Sequence, residues 1–308
     1  MIFALAEPRA ECVVYDARSG YRPGVRDRLL ICEGDGVLFY ACVAPELLAA
    51  AASRHKLASG SAAALGQAMC GALLLAVHSQ TRVDVQLDCA GPLRGLLADA
   101  DASGDARGLV RVPDLPARFE GDRFDPRPLL ATGNDELAGR LSIVRKDPQL
   151  RRTLFPFAGA DLSAALTLAL RSEAERGGEM ALEVLAPGLP AGVLLAPLVD
   201  EEEAIQAVRE RGKPLRQGGL VAALRGLRDL EELPQRLGLN VSLAGEVTPR
   251  FQCRCSRERV TSALRTLDPV DLRDMAERDK GAVCYCDFCG ETYRLSAEEL
   301  LGFAAGPA

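Results

Sequence analysis

The cysteines constrain this chain more than any other feature. Cys253, Cys255, Cys284, Cys286 and Cys289 place five of its ten cysteines in one short stretch of a 308-residue protein. Two close doublets, Cys253-x-Cys255 and Cys286-x-x-Cys289, flank residues 256–285, a span long enough for a helical excursion that brings one doublet back to the other. Four thiolates then surround one ion. Zinc is the natural candidate, because it accepts tetrahedral all-sulfur coordination and brings no redox chemistry of its own. Gly290 supports the reading, since the residue after such a knuckle often turns with positive φ, which glycine adopts at low cost. One Zn²⁺ per chain is expected, with Cys253, Cys255, Cys286 and Cys289 as ligands. Cys284 is read as a bystander, because a closed site takes four ligands.

A module of this size buries little core, so metal binding is expected to supply much of its folding free energy, on the order of 10–16 kcal/mol in small zinc peptides. Both doublets are also close enough in sequence to close on themselves as disulfides. Oxidation at sulfur would then eject the ion and unfold the module. From spacing alone, a plain structural zinc site is the simpler reading and the switch is the alternative.

Composition limits the remaining classes. With 48% apolar and 26% charged residues the chain reads as a soluble globular protein, and its net charge of −6 opposes a protein-wide nucleic-acid footprint. The start, MIFALAEPRA, lacks a basic beginning and meets Glu7 and Arg9 before a signal-peptide core is complete. The apolar run from Ala62 to Val77 is interrupted by Gly66, Gln67 and Gly71, which predicts a buried helix and not a membrane span. A cytoplasmic location with mostly reduced thiols follows as the expectation.

From Asp27, two apolar runs around Glu33-Gly34-Asp35-Gly36 predict a β-hairpin, with Cys32 and Cys42 as buried, inert thiols. Helices are predicted over Ala44–Lys56 and then through Leu65, Met69, Leu73 and Ala76, the second as the central core helix. Its Cys70, with His55 and His78, is assigned to packing or surface roles. TRVDVQLDC alternates as a half-buried strand with Cys89 inward, and strands follow at Leu93–Ala98 and Gly108–Val112. Beyond a proline-rich loop over Pro113–Pro128, the pattern gives a strand at Arg140–Val144, a helix at Asp161–Arg176, and closing strands at Met180–Leu185 and Gly192–Pro197. The acidic run from Asp200 opens a segment whose Leu220, Leu224 and Leu227, then Leu230, Leu233 and Leu237, are spaced for helical faces.

The fold class is therefore α+β. It comprises an N-terminal extension (1–26), a core domain with an antiparallel sheet and packed helices (27–199), a helical linker (200–248) and a small C-terminal Cys₄ zinc domain (249–308).

The C-terminal stretch resembles the heat shock protein 33 family of redox-regulated holdase chaperones. The likeness runs through Cys253-Arg254-Cys255, Ser256-Arg257-Glu258-Arg259, the intervening gap, Cys286-Asp287-Phe288-Cys289-Gly290 and the aromatic Tyr293. RHKL, AALGQAMCGALLLA, VDVQL, ARGLVR, Arg171-Ser172-Glu173 and Ala191–Leu195 extend it over most of the chain from Asp27. The resemblance implies an ATP-independent holdase, silent when reduced and zinc-bound. It implies that oxidant forms Cys253–Cys255 and Cys286–Cys289 disulfides, zinc leaves, the linker unfolds, and apolar surface captures unfolding client proteins. It also implies a monomer when reduced and a homodimer when oxidised, with the core domain binding clients.

The alternative is a zinc-ribbon nucleic-acid-binding protein with a purely structural zinc, because Arg250, Arg254, Arg257 and Arg259 crowd the first doublet. Those arginines are also expected to offset the −2 charge of a four-thiolate zinc site. An enzyme is not expected: the chain has no GxSxG, GxxxxGK[ST] or HExxH, and its CxxC does not open a helix in a βαβ unit.

Overall fold

The computed structural model describes residues 26–132, 137–146, 149–172, 177–186 and 188–305. The N-terminal extension thus lies outside the described residues apart from Arg26. The chain divides into two compact units, Met1–Phe251 and Gln252–Ala308.

In the first unit, β1 (Arg28–Gly34) and β2 (Val37–Val43) form the predicted hairpin, followed by α1 (Pro45–His55) and α2 (Ser59–Ser79). β3 (Val83–Cys89), β4 (Gly95–Ala100) and β5 (Asp105–Val110) make a meander. The ribbon β6 (Phe119–Glu120) and β7 (Arg123–Phe124) and the single turn α3 (Arg127–Leu130) follow it. The hairpin β8 (Leu137–Lys146) and β9 (Leu150–Ala158), then α4 (Leu162–Ser172), and the hairpin β10 (Glu179–Leu185) and β11 (Leu189–Pro197) complete the core.

Two sheets result. One runs β3 between β4 and β8, with β5 beyond β4 and β9 at the far edge, while β2 in the other pairs with both β1 and β11. α2 is apolar all round, and every residue from Gly60 to Val77 is buried, as a helix without a polar face requires. By length and composition it is long enough to cross a membrane, and its apolar window is wholly inside the protein. Leu65, Met69, Leu73 and Ala76 pack with Tyr40 and Leu194 from one sheet and Val85, Ile143 and Phe157 from the other.

Cys32, Cys42 and Cys70 are buried as expected; the Cys42 and Cys70 sulfurs lie 3.9 Å apart between β2 and α2. Cys89 is half-buried and packs against the core. His78 meets the Tyr40 hydroxyl at 3.3 Å, a packing role.

α1 has alanine at its N-cap, and the missing cap comes from outside the helix. Both carboxylate oxygens of Asp27 accept backbone N–H bonds, from Glu46 and Leu47, at 2.7 Å each. Burial outweighs those bonds and raises the Asp27 pKa to about 7. The native state therefore holds this proton more tightly than the unfolded chain does. Stability from this group is lost as pH rises from about 4 to about 7, by roughly 4 kcal/mol in all. Asp27→Asn removes the titration, so its stability relative to wild type is expected to rise across that window and level off above it. Urea unfolding at pH 5, 6, 7 and 8 checks this; a difference independent of pH would place the proton elsewhere.

Residues 200–248 cover the outer face of the β1–β2–β11–β10 sheet. α5 (Glu202–Pro214), a wide π-type turn at Leu215–Gly219 and α6 (Leu220–Leu224) lead to a 3₁₀ turn at Leu230–Glu232 and α7 (Leu233–Arg236). Leu220, Leu224, Leu230 and Leu233 are buried against Phe39, Val193 and Leu195, with Leu227 and Leu237 partly buried beside them. Arg28 on β1 reaches three acids of this segment, Asp229, Glu231 and Glu246, each at 2.8 Å.

The segment expected as a helical linker is helical in its larger part but not to its end. Ser242–Val247 is a strand, β12, pairing antiparallel with β1, and β13 (Arg250–Phe251) lies parallel to β5. SLAGEV carries little strand propensity; backbone hydrogen bonding to the open edge of β1 overrides composition there. β9 also escaped sequence reading. Its Pro156 argues against a central strand and is acceptable at the sheet edge where β9 sits.

Candidate metal centre

The second unit has a small apolar core of Leu264, Leu272, Ala276, Ala282, Leu295, Leu300 and Ala304. It is built from α8 (Arg257–Leu264), α9 (Pro269–Arg278), the hairpin β14 (Gly281–Tyr285) and β15 (Thr292–Ser296), and α10 (Ala297–Ala304). Its helices start at well-formed caps: Ser256 accepts the Arg259 N–H, Asp268 the Val270 N–H, and Ser296 forms a capping box with Glu299.

Cys253 and Cys255 lie in the irregular stretch just before the α8 cap. Cys286 and Cys289 lie in the turn that follows β14. In that turn the Cys286 carbonyl accepts N–H bonds from Cys289 (3.3 Å) and Gly290 (2.8 Å), and Gly290 takes the positive φ expected of it, 74°. The turn aims backbone N–H groups at sulfur: Phe288 and Cys289 donate to Cys286, and Glu291 donates to Cys289.

The four sulfurs predicted as ligands all lie within 4.8 Å of one another, and all four residues are half-buried. Cys253 and Cys286 approach to 3.6 Å, and Cys255 and Cys289 to 3.4 Å. A regular tetrahedron with metal–sulfur bonds of 2.3 Å has sulfur–sulfur edges of about 3.8 Å, so the arrangement fits zinc. Burial raises the Cys286 and Cys289 thiols above their ordinary range, and the Cys253 sulfur adds to both rises. Four thiolates in one shell are therefore favourable only around a cation, and a soft divalent one suits the all-sulfur donor set.

Cys284 is outside this group. It sits on β14 two residues from Ala282 and packs, as Ala282 does, with the unit's apolar core. By sequence Tyr293 is only an aromatic near the second doublet, yet its hydroxyl donates to the Cys255 sulfur at 3.1 Å. The only advance signal was its place four residues after Cys289.

The arginines around the first doublet are engaged within their own units. Arg257 donates to the Arg294 carbonyl at 2.9 Å and pairs with Glu299, and Arg259 donates to the Arg254 carbonyl at 2.9 Å. Arg250 pairs with Asp105. These contacts give the arginines structural work that needs no phosphate.

Fold and site together define a class: an α+β core protein carrying a separate small unit with a four-cysteine cluster able to hold a metal ion. The sequence model of the Hsp33 protein family matches residues 28–296, and the chain belongs to that family. It is 33% identical over 307 residues to a 33 kDa chaperonin of Thermus thermophilus, covering 90% of this chain and 86% of that one. It is 34% identical over 283 residues to the 33 kDa chaperonin of Synechococcus sp. (strain JA-2-3B'a(2-13)), covering 85% of each. Among solved structures, the 33 kDa chaperonin (heat shock protein 33 homolog) of Thermotoga maritima shares the fold with a TM-score of 0.70 at 19% identity, over 91% of this chain and 98% of that one. The protein is thus a member of a chaperone family.

Proposed function

We propose that the protein is a redox-regulated, ATP-independent holdase, with Cys253, Cys255, Cys286 and Cys289 as both its metal ligands and its switch. The observation that carries the proposal is the gathering of these four sulfurs within 4.8 Å in a unit whose apolar core is so small. Cys253, Cys255, Cys286 and Cys289 would hold the zinc, which would supply much of the unit's folding free energy.

The chain's own chemistry is thiol oxidation by hydrogen peroxide. One thiolate of a doublet attacks a peroxide oxygen, the O–O bond breaks, hydroxide leaves, and a sulfenic acid forms. The second thiolate attacks that sulfur, the S–S bond forms, and another hydroxide leaves. Each doublet thus gives up two electrons to one peroxide. Closure of Cys253–Cys255 and Cys286–Cys289 leaves no ligand set, so the unit unfolds.

The chain passes from β12 to Cys253 in six residues, which couples that unfolding to residues 200–248. Lifting them from the sheet exposes Phe39, Val193 and Leu195 together with the leucines that covered them, a surface suited to unfolding client proteins. On this reading the protein works in the cytoplasm, as a monomer when reduced and a homodimer when oxidised, and it is not an enzyme.

The test follows zinc release and suppression of client aggregation together, in reduced protein and in protein treated with peroxide at elevated temperature, without ATP. One zinc per chain is expected to leave as holdase activity appears. Zinc retained, or zinc lost without activity, would make the centre purely structural.

A further inference from the structure

We propose that Tyr293 is a positioning residue of the thiol centre, whose hydrogen bond to the Cys255 sulfur restrains that thiolate from attacking electrophiles. The inference rests on the switch described above and concerns its threshold. Tyr293 stands on β15 directly opposite Cys284 on β14. Opposed residues in an antiparallel ladder project from the same face, so the ring stands beside the fifth thiol while its hydroxyl reaches Cys255 at 3.1 Å.

The donors to the second doublet are of another kind. Cys286 and Cys289 receive backbone N–H groups fixed by the turn itself, which no side-chain change removes. Cys255 receives a phenolic O–H that a single oxygen atom supplies.

A hydrogen bond to an anionic sulfur is charge-assisted and withdraws electron density from the lone pairs that make the sulfur a nucleophile. Attack on a peroxide oxygen spends that same electron density, so part of the bond is given up on the way to reaction. Loss of the donor therefore speeds the reaction at Cys255 above all. A ring that merely packed would act differently: its loss would loosen the unit and expose all four sulfurs together.

The experiment uses the full chain, reduced and loaded with one zinc, as wild type and as Tyr293→Phe, which keeps the ring and removes the oxygen. Pulses of iodoacetamide with site-resolved mass spectrometry give the alkylation rate of each cysteine, and a chromophoric chelator follows zinc release under hydrogen peroxide in parallel. Alkylation at Cys255 is expected to rise roughly threefold to tenfold, with Cys286 and Cys289 changed less than about twofold. Zinc release under peroxide should accelerate as well.

An unchanged Cys255 rate, or an equal rise at all four cysteines, would overturn the proposal. 3-Fluorotyrosine at 293 supplies a stronger donor of nearly the same shape and should slow Cys255 below wild type, so the proposal is tested even if Tyr293→Phe loses zinc. Iodoacetamide needs no oxidant. Wild-type protein that keeps its zinc under peroxide would therefore sink the switch, while the alkylation ratios still decide the role of Tyr293.

Discussion

Replacing Cys289 with serine is expected to unfold residues 252–305 and leave the α2-centred core folded. The second unit hides only a handful of leucines and alanines, with Leu272 and Leu300 the best shielded of them. Full burial of such a leucine contributes about 1.5–3 kcal/mol, and ordering each residue costs about 1–2 kcal/mol of backbone entropy alone. A unit of this length does not close that gap with so little apolar surface.

Metal binding would supply the largest single contribution, about 10–16 kcal/mol in small zinc peptides, and a hydroxyl is a poor substitute for a thiolate toward zinc. Hydrogen exchange read by mass spectrometry checks the outcome. Protection should disappear from α8, α9, β14, β15 and α10 in Cys289→Ser, and in wild type stripped by a strong chelator under reductant, while α2 stays protected. Retained protection in both would mean that caps and ion pairs such as Arg257–Glu299 suffice, and the unit could not serve as a metal-dependent switch.

The gathering of the four cysteines was legible in the sequence because chelation depends on short spacings that the chain cannot hide. A CxC and a CxxC each place two sulfurs within reach of one ion wherever the intervening helices run. The core helix was legible for a similar reason, since a segment without a polar face has nowhere to go but inside.

What escaped was set by partners distant in sequence. β12 forms because β1 offers an open edge, and nothing in SLAGEV announces it. β9 carries Pro156 and the adjacent Arg151 and Arg152, which read as loop until the strand is known to lie at an edge. The placing of Cys284 was equally hidden: one of five clustered thiols turns to the apolar core because strand alternation puts it on the side of Ala282. Tyr293 became a contact of Cys255 only when the β14–β15 register aligned it.

The same dependence on distant partners makes the cover over the sheet vulnerable at a glycine. Gly212, in the last turn of α5, lies so close to β10 that a Cβ there would stand 2.3 Å from the Glu179 Cβ, with the Glu179 Cγ at 2.4 Å. Glu179 cannot move aside freely. Its side chain is 1% exposed, Arg171 of α4 pairs with one carboxylate oxygen, and Arg216 of the π-type turn holds the other at 2.9 Å.

Gly212→Val therefore has two outcomes, and each releases the segment. Either α5 lifts from the sheet, or Glu179 swings away from both arginines and leaves charge buried without its partners; either costs about 3 kcal/mol or more. Once α5 rises, the leucines of α6 and α7 lose the sheet they cover. Reduced, zinc-loaded Gly212→Val is expected to bind an apolar dye and to suppress aggregation of a thermally unfolding client without oxidant, and reduced wild type is expected to do neither.

Hydrogen exchange in α5 and α6 separates the ways this can fail. Protection retained there would mean that β10 yields to the added methyl groups and the packing argument is wrong. Protection lost with no gain in client binding would mean that the uncovered face, with Phe39, Val193 and Leu195, is not the surface that holds clients. The apolar capture site would then have to lie elsewhere in the chain, and opening the metal centre would need another route to activity than release of residues 200–248.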